Sequence, residues 1–337
     1  MGCPERGQRC YVFFRDSLYI EKIHFGGYTM NTLQTVLPYV ISGISVGGQY
    51  ALIAIGYTMV YGILRLINFA HGDVFMVAGL LMVYLSAALP MYIAIPLVII
   101  LTVLLAFVIE RVAYKPLRTA PRMSVMISAI GVSYLLQNLA LYITGGLNKN
   151  YPAIPWISDQ ITVFGMATTR VTVITPFLTV FLVFALVYLI NHTKIGMAMR
   201  AVSRDFETSQ LMGIKIDKVI SVTFIIGSFL AAIGSLLYFT NYPGVVPTSG
   251  GMPGLKAFVA AVFGGIGSIP GAVIGAFIIG ICESIIKGLD TILITSGSIT
   301  EQIGLATFSD AFTFVLLIVI LVFKPTGLFG EKSTDKV

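Results

Sequence analysis

Residues 92–109 read YIAIPLVIILTVLLAFVI, a run of 18 residues without a charged side chain. A helix needs about 20 predominantly apolar residues to cross a bilayer. Seven further apolar stretches recur along the chain, at 36–61, 73–89, 124–144, 171–190, 219–240, 256–286 and 306–323. Their hydrophobicity is continuous and does not alternate, which favours helices over barrel strands. The sequence therefore predicts an all-α, polytopic transmembrane helical bundle with about eight membrane segments.

The composition also indicates a membrane protein. Hydrophobic residues make up 57% of the 337 residues and charged residues only 11%, whereas a soluble protein carries about 25% charged residues. The formal net charge is +6, but the basic side chains stand in short clusters between apolar stretches. We therefore expect contact with membrane lipid and no binding of nucleic acid.

Motifs for catalysis, cofactors and metals are missing from the sequence. The three histidines and three cysteines are scattered, which argues against a metal site and a disulfide framework. Residues Gly330-Glu-Lys-Ser-Thr334 have neither the spacing nor the Gly-Lys pair of a phosphate-binding loop. The sequence predicts a chain that is not an enzyme, has no cofactor and has no ATPase site of its own.

Lysine and arginine residues predict the orientation, because they accumulate in cytoplasmic loops. Residues 110–122 carry four basic residues and one acidic residue, and residues 191–218 carry five basic and three acidic residues. Both segments are predicted to be cytoplasmic, and residues 145–170 between them are predicted to face outside. Lysines in the tail after Phe323 predict a cytoplasmic C-terminus as well.

The apolar stretch 256–286 contains a break, Phe263-Gly-Gly-Ile-Gly-Ser-Ile-Pro-Gly271. Four glycines and a proline in nine residues disfavour a continuous helix, and a simple crossing would put the C-terminus outside. We therefore predict a half-length segment, a turn and a returning helix, and the alternative is a tight turn between two full crossings. Broken helices often mark transport sites, so the predicted pathway includes Gly264, Gly265 and Gly267.

The short segment Leu64–Asp73 gathers an amide, an imidazole and a carboxylate between two apolar stretches. In one interpretation Asn68, His71 and Asp73 line the translocation route or brace its gate, because ionisable groups at membrane depth are costly. In the other, which the spacing favours, Asp73 lies near a helix N-cap and is exposed at the cytoplasmic interface beside Arg65.

The loop from Lys194 to Gly213 predicts a helix, since we find nothing between Met197 and Met212 to break one and Gly213 is placed to end it. A short apolar stripe lies beside charged residues and consists of Met199, Val202 and Phe206. Such a helix either lies on a membrane or partner surface or is a solvated loop helix without a partner.

The chain divides into three regions by composition. Residues 1–29 are charged and lack the apolar core of a secretory signal, so they form an atypical N-terminal extension, and Met30 is a candidate for the true translation start. Residues 30–330 form the predicted transmembrane domain, which includes the cytoplasmic loop 191–218. Residues 331–337 form a cytoplasmic tail.

Several motifs together resemble the branched-chain amino acid ABC transporter permeases, and most of all the LivH-type subunit. The resemblance is carried by GQYALIAIGYTMVYG at 48–62 and INFAHGD at 67–73. It extends from about Met30 to Gly330 through three further stretches, Arg200–Asp217, Met252–Gly271 and Lys324–Gly327.

The resemblance implies the permease subunit of an importer in the bacterial cytoplasmic (inner) membrane that translocates leucine, isoleucine and valine. Its implied partners are a LivM-like second permease, two cytoplasmic ATPase subunits and an extracytoplasmic substrate-binding protein. Glu207 and Gly213 fit the helix that engages the ATPase, although Thr208 and Ser209 stand where alanines are more usual. The implied ATPase-coupling loop contains Arg200, Arg204, Glu207 and Gly213.

Two rival functions stay open at this point. Permeases for urea or short amides resemble the same family closely. A stand-alone secondary transporter, driven by an ion gradient, belongs to a different class and would need no ATPase partner.

Overall fold

The computed structural model describes residues 28–118, 120–163, 166–295, 304–324 and 326–330. Within these ranges, eight helical segments are long and apolar enough to cross a membrane, and they are Val36–Leu64, His71–Ala88, Met91–Leu117, Met123–Thr144, Arg170–His192, Ile216–Asn241, Ile269–Leu289 and Leu305–Phe323. The predicted all-α membrane bundle is thus confirmed. The predictions for residues 1–27 and 331–337 fall outside the described residues.

The α-helices are, in chain order, α1 Tyr28–Leu64, α2 His71–Ala88, α3 Met91–Ile109, α4 Arg122–Thr144, α5 Arg170–His192, α6 Lys194–Arg204, α7 Phe206–Leu211, α8 Ile216–Asn241, α9 Gly251–Gly264, α10 Ile269–Thr295 and α11 Ser309–Phe323. A π-helical turn, Glu110–Tyr114, and a 3-10 turn, Lys115–Leu117, extend α3, and a second 3-10 turn, Leu305–Phe308, precedes α11. Four short strands complete the fold, β1 Lys149–Asn150, β2 Gln160–Val163, β3 Met166–Thr169 and β4 Gly244–Val245.

Contacts between loops define the two ends of the bundle. At the end predicted to be outside, β1 pairs antiparallel with β4, and β2 pairs with β3 in a hairpin. At the opposite end, Lys115 lies 2.9 Å from Asp217, and Arg118 pairs with both Asp217 and the buried Glu110. The two basic segments therefore meet at one end, as the orientation argument requires.

Helix α1 occupies the centre of the bundle and packs on α5, α8, α9 and α10. Its approach to α10 is close because small residues face each other: a Cβ on Gly43 would lie 2.6 Å from the Cα of Ile281. Without side chains between them, the two backbones gain the van der Waals contacts that hold helices together in lipid. The helices α3, α4, α5 and α11 surround this core and expose large apolar side chains.

The predicted break in the stretch 256–286 is confirmed. Helix α9 has 14 residues, or about 21 Å of length, too short for a hydrocarbon core of about 30 Å. The turn that follows needs glycine, because φ is +108° at Gly265 and +98° at Gly267. Helix α10 then returns beside α9, so this pair is a half-length segment followed by a full crossing.

The residues after α11 lie against this turn. The amide groups of Leu328 and Phe329 donate to the carbonyl oxygens of Phe263 and Gly264, at 2.9 Å in each case. Since Ile266 of the same turn faces the end of α1 at Tyr61, the C-terminal segment lies at the end that carries the basic loops. Because α9 does not cross the membrane, the C-terminal segment lies at the same end as the basic loops, as predicted.

Candidate functional site

Helix α2 begins deep inside the bundle and not at its surface. His71, its first residue, lies between Gly56 of α1 and Gly227 of α8. Gly56 stands eight residues before the end of α1, and Gly227 stands eleven residues after the start of α8, which places them about 12 and 16 Å along their helices. The segment 65–70 therefore folds back into the membrane-spanning region before α2 starts.

Asp73 is buried in the middle of the bundle, with 2% of its surface exposed. Its carboxylate accepts hydrogen bonds from Ser133 and, at 3.0 Å, from Gln137, both on α4. Ser133 lies eleven residues into α4, which again corresponds to about 16 Å of depth. The prediction that Asp73 is exposed at the cytoplasmic interface beside Arg65 is thus wrong, because the loop folds inward while Arg65 stays exposed.

Asn68 holds the inward fold of this loop. Its Oδ1 accepts a hydrogen bond of 2.6 Å from the hydroxyl of Tyr114 and one of 3.1 Å from the backbone amide of Ala70. The second bond satisfies a backbone donor just before α2, which would otherwise lack a partner at a helix start. Asn68 therefore joins the start of α2 to the inner end of α3.

His71 is buried, and its Nε2 has no hydrogen-bond partner among the described residues. The imidazole meets the ring of Tyr57 edge-on, with centroids 5.0 Å apart, and Tyr57 in turn lies 6.0 Å from Phe258 of α9. A buried imidazole nitrogen without a partner is costly. The backbone of Ile53 on α1 also interacts with this imidazole, so His71 is held against α1 at membrane depth.

The start of α9 meets the start of α2. A Cβ added to Gly72 would lie 3.1 Å from the Cα of Gly254, and one added to Gly250 would lie 2.9 Å from Cβ of Met76. The two helices run in opposite directions from this point. Helix N-termini carry partial positive charge, and non-helical backbone at membrane depth is tolerated only against protein or water. This junction has the form of a transport site built from interrupted helices.

The structure places Asn68, His71 and Asp73 at the start of α2, where their side chains contact different elements, and keeps the predicted glycines apart from them. Gly264, Gly265 and Gly267 lie at the far end of α9, about 20 Å from its start. A small cavity of about 10 Å³ lies between the two regions and is lined by Tyr57, Tyr61, Ile67, Phe258, Ala261 and Ile266.

The predicted loop helix is interrupted, so the expectation of one helix from Met197 to Met212 is wrong. Helix α6 ends at Arg204, and α7 starts at Phe206. Between them Asp205 adopts an extended backbone, and its Oδ1 accepts from the amides of Glu207 and Thr208 at 3.0 and 3.1 Å. An aspartate that caps a new helix in this way ends the preceding one.

The four predicted coupling residues occupy different positions. Arg204 and Glu207 line a cavity of about 500 Å³ between α6, α7 and the inner ends of α1, α3 and α4. Arg200 instead donates to Oδ1 of Asn191 at 2.8 Å. Gly213 ends the loop with φ +82°, as predicted for a helix terminator.

Two apolar residues in this loop were missed by the sequence analysis. Leu211 is 86% exposed and Met212 is 78% exposed, directly before Gly213. Large apolar side chains projecting from a charged loop are typical of a contact surface for another protein. Two adjacent apolar residues just before a helix terminator were the signal available in the sequence.

A second missed feature is a buried ionic network. Nζ of Lys256 lies 2.7 Å from Glu283 and 2.6 Å from Asp310, and Nζ of Lys287 lies 2.6 Å from Glu283. The hydroxyl of Tyr50 donates to Glu283 at 3.0 Å. Charged residues inside an apolar stretch were the available signal, because they are rare in membrane helices and mark functional positions.

Comparison with known proteins agrees with this architecture. The family model for the permease component of branched-chain amino acid transport systems matches residues 39–321. The high-affinity branched-chain amino acid transport system permease proteins BraD of Pseudomonas aeruginosa and LivH of Escherichia coli K12 are 40% and 37% identical. Each alignment covers 89% of this chain, and 98% and 97% of the respective relative.

A more distant relative differs in its named substrate. The ribose import permease protein RbsC of Haemophilus influenzae is 27% identical over 71% of this chain and 74% of its own length. Together with the eight apolar helices, these relatives make the chain a multi-pass protein of the inner membrane. The chain belongs to the family of permease components of branched-chain amino acid transport systems.

Proposed function

We propose that this chain is the permease subunit of an ATP-binding-cassette importer that carries leucine, isoleucine and valine across the cytoplasmic membrane. The observation that carries the proposal is the 40% identity to a high-affinity branched-chain amino acid permease over 98% of that protein. The names of these relatives support neither a urea importer nor a stand-alone secondary transporter.

The chain is inferred to act with other subunits, because its relatives are permease components of transport systems and its sequence contains no phosphate-binding loop. Its proposed partners are a LivM-like second permease, two cytoplasmic ATPase subunits and an extracytoplasmic substrate-binding protein. The second permease completes the pore, and the binding protein delivers the amino acid at the outer end.

The cytoplasmic loop 191–218 is the proposed contact with an ATPase subunit. Leu211 and Met212 supply the exposed apolar contact, and Arg204 and Glu207 border the cavity beside them. Arg200 and Gly213 hold the geometry of the loop, through Asn191 and through a left-handed turn. Movement of this loop reaches the pore because the same cavity is lined by Ile63 and Leu64 of α1.

The proposed substrate pathway passes the junction between the starts of α2 and α9. Asn68 and Asp73 fix the start of α2, and His71 offers a buried imidazole between α1 and α8. Gly264, Gly265 and Gly267 form the turn on which α9 pivots between inward-open and outward-open states, since glycine permits the backbone changes that a hinge needs.

Two measurements test the proposal. Purification of this chain from its native membrane yields the second permease and the ATPase subunits in stoichiometric amounts if the assignment is right. Uptake of labelled leucine by the reconstituted complex is competed by isoleucine and valine but not by urea. Competition by urea and not by valine would transfer the assignment to a urea or short-amide importer.

A further inference from the structure

The ionic network consists of four charged side chains in a row, of which the two in the middle are buried and the two at the ends are half-exposed. Lys256 and Glu283 in the middle are 6% and 1% exposed, whereas Lys287 and Asp310 at the ends are each 43% exposed. Oε1 of Glu283 lies 2.6 Å from Nζ of Lys287 and 2.7 Å from Nζ of Lys256, and the same Nζ of Lys256 lies 2.6 Å from Oδ1 of Asp310. Nζ of Lys287 and Oδ1 of Asp310 are therefore at most about 8 Å apart.

Each end group keeps capacity for a further partner. Lys287 contacts Glu283 through one atom pair and Asp310 contacts Lys256 through its Oδ1, and an ammonium has three donors and a carboxylate two oxygens. Among the described residues, two donors of Lys287 and the Oδ2 of Asp310 have no further partner, and Ser309 donates only to Oδ1. The network thus presents one cation and one anion at its exposed ends.

Exposed apolar side chains stand near the network on α9, next to Lys256. Met252 stands one helical turn before Lys256 on α9, and it and Leu255 are both exposed. The connection from Val246 to Gly250 is non-helical and descends to the junction with Gly72. Charged side chains at membrane depth face the bundle interior or a water-filled cavity, so the half-exposed Lys287 and Asp310 indicate an edge that faces water or another subunit and not lipid.

We propose that this open edge is a recognition subsite for the zwitterionic head group of an aliphatic amino acid. Lys287 binds the carboxylate of the substrate, Asp310 binds its α-ammonium group, and Met252 and Leu255 contact its aliphatic side chain. Lys256 and Glu283 are positioning residues that hold both end groups in place. The inference rests on the proposed function, because it specifies how that permease recognises its substrate.

The location fits an early contact after delivery from outside. Lys287 stands 18 residues into α10, about 27 Å from the turn at the inner end, and Asp310 is in the first turn of α11. Tyr242, just after the outer end of α8, lies near the ionic network. Burial and then the Glu283 carboxylate raise the pKa of its phenol, and the Lys256 ammonium lowers it. The subsite therefore lies above the junction at His71.

The test uses the complete importer in nanodiscs, without binding protein, and measures binding of labelled leucine. Lys287→Met and Asp310→Asn are each expected to weaken binding about tenfold, as expected for loss of one charge-assisted contact. Lys287→Arg and Asp310→Glu retain the charges and are expected to keep most of the binding. Lys149→Met, at the same end but outside the network, is the matched control and leaves binding unchanged.

Leucine analogues that lack one charged group identify which charge of the substrate each residue binds. In the wild type, 4-methylpentanoate, which lacks the ammonium group, and 3-methylbutylamine, which lacks the carboxylate, compete weakly against leucine. In Asp310→Asn the penalty for a missing ammonium disappears, and in Lys287→Met the penalty for a missing carboxylate disappears. A purely structural role would weaken all three ligands equally and would overturn the proposal.

Two further outcomes separate the proposals from each other. If the wild-type complex imports leucine but both charge-removing variants bind it normally, the subsite is wrong and the proposed function stands. If the wild-type complex imports no amino acid, the proposed function itself fails. If the wild-type complex binds leucine in bilayers without phosphatidylethanolamine but not in bilayers that contain it, the edge binds a lipid head group. That result would overturn the subsite.

Discussion

The imidazole of His71 fills the space that a side chain on Gly56 would occupy. A Cβ built on Gly56 overlaps Nε2 of His71, and one built on Gly227 from the other side lies 3.3 Å from the Cα of Gly56. Three helices, α1, α2 and α8, therefore meet around one ring at membrane depth. The start of α2 has its position because two glycines leave room for this histidine.

Replacement of Gly56 by alanine is expected to force the start of α2 out of place. Overpacking of a tight core costs about 1–3 kcal/mol, so we expect a lower Tm of the purified complex and a loss of leucine uptake. Gly62→Ala in the same helix is the control, because no atom lies within 4 Å of the Cβ position there. Equal stability and uptake in both variants would contradict the described packing.

Asp73 is expected to tolerate asparagine better than leucine. Asparagine keeps an acceptor for Ser133 or Gln137, whereas leucine leaves the Ser133 hydroxyl without an acceptor and Gln137 with only its bond to Ser133. A lost partner costs about 1–3 kcal/mol for a buried group, and less here because both residues are half-buried. Thermal unfolding in detergent should rank wild type above Asp73→Asn, and Asp73→Asn above Asp73→Leu. A leucine variant as stable as wild type would show that Asp73 is not buried in this network.

Lys256→Met breaks the centre of the ionic network. Loss of one partner from a buried ion pair costs about 3–5 kcal/mol, although Lys287 and Tyr50 still contact Glu283 and reduce that figure. The double variant Lys256→Met with Glu283→Gln removes both charges, so its Tm should recover part of the loss. A double variant that shows only the sum of two single losses would mean that these residues are energetically independent.

Leu211→Ser together with Met212→Ser is expected to uncouple the ATPase from transport. Both side chains are exposed, so Tm should stay within about 2 °C, as expected for surface substitutions. Leucine uptake should fall about tenfold or more if the pair anchors the contact. Leu147→Ser, at an exposed apolar residue of the opposite end, serves as control, and an equal effect there would refute the docking role.

The sequence predicted the membrane segments because each is a local property of about 20 residues. The break at Gly264–Gly267 was predictable for the same reason, since glycine and proline act on their own backbone. The orientation followed from charge clusters in single loops. These features need no knowledge of which helices touch.

The depth of α2 and the ionic network were not predictable in that way. Asp73 is satisfied by residues 60 and 64 positions away, and Lys256 by residues 27 and 54 positions away. A single sequence carries no record of such pairings. The break at Asp205 was missed for a different reason, because an aspartate inside a helical pattern becomes an N-cap only when its backbone is extended.

ATP-dependent uptake in proteoliposomes tests whether this chain is the permease subunit of an amino acid importer. The vesicles contain this chain with its second permease and ATPase subunits, loaded binding protein is added at the outer face, and ATP is supplied at the ATPase face. Labelled leucine should accumulate, and this accumulation should require ATP and every subunit. Uptake by this chain alone, without ATP and driven by an ion gradient, would contradict this prediction.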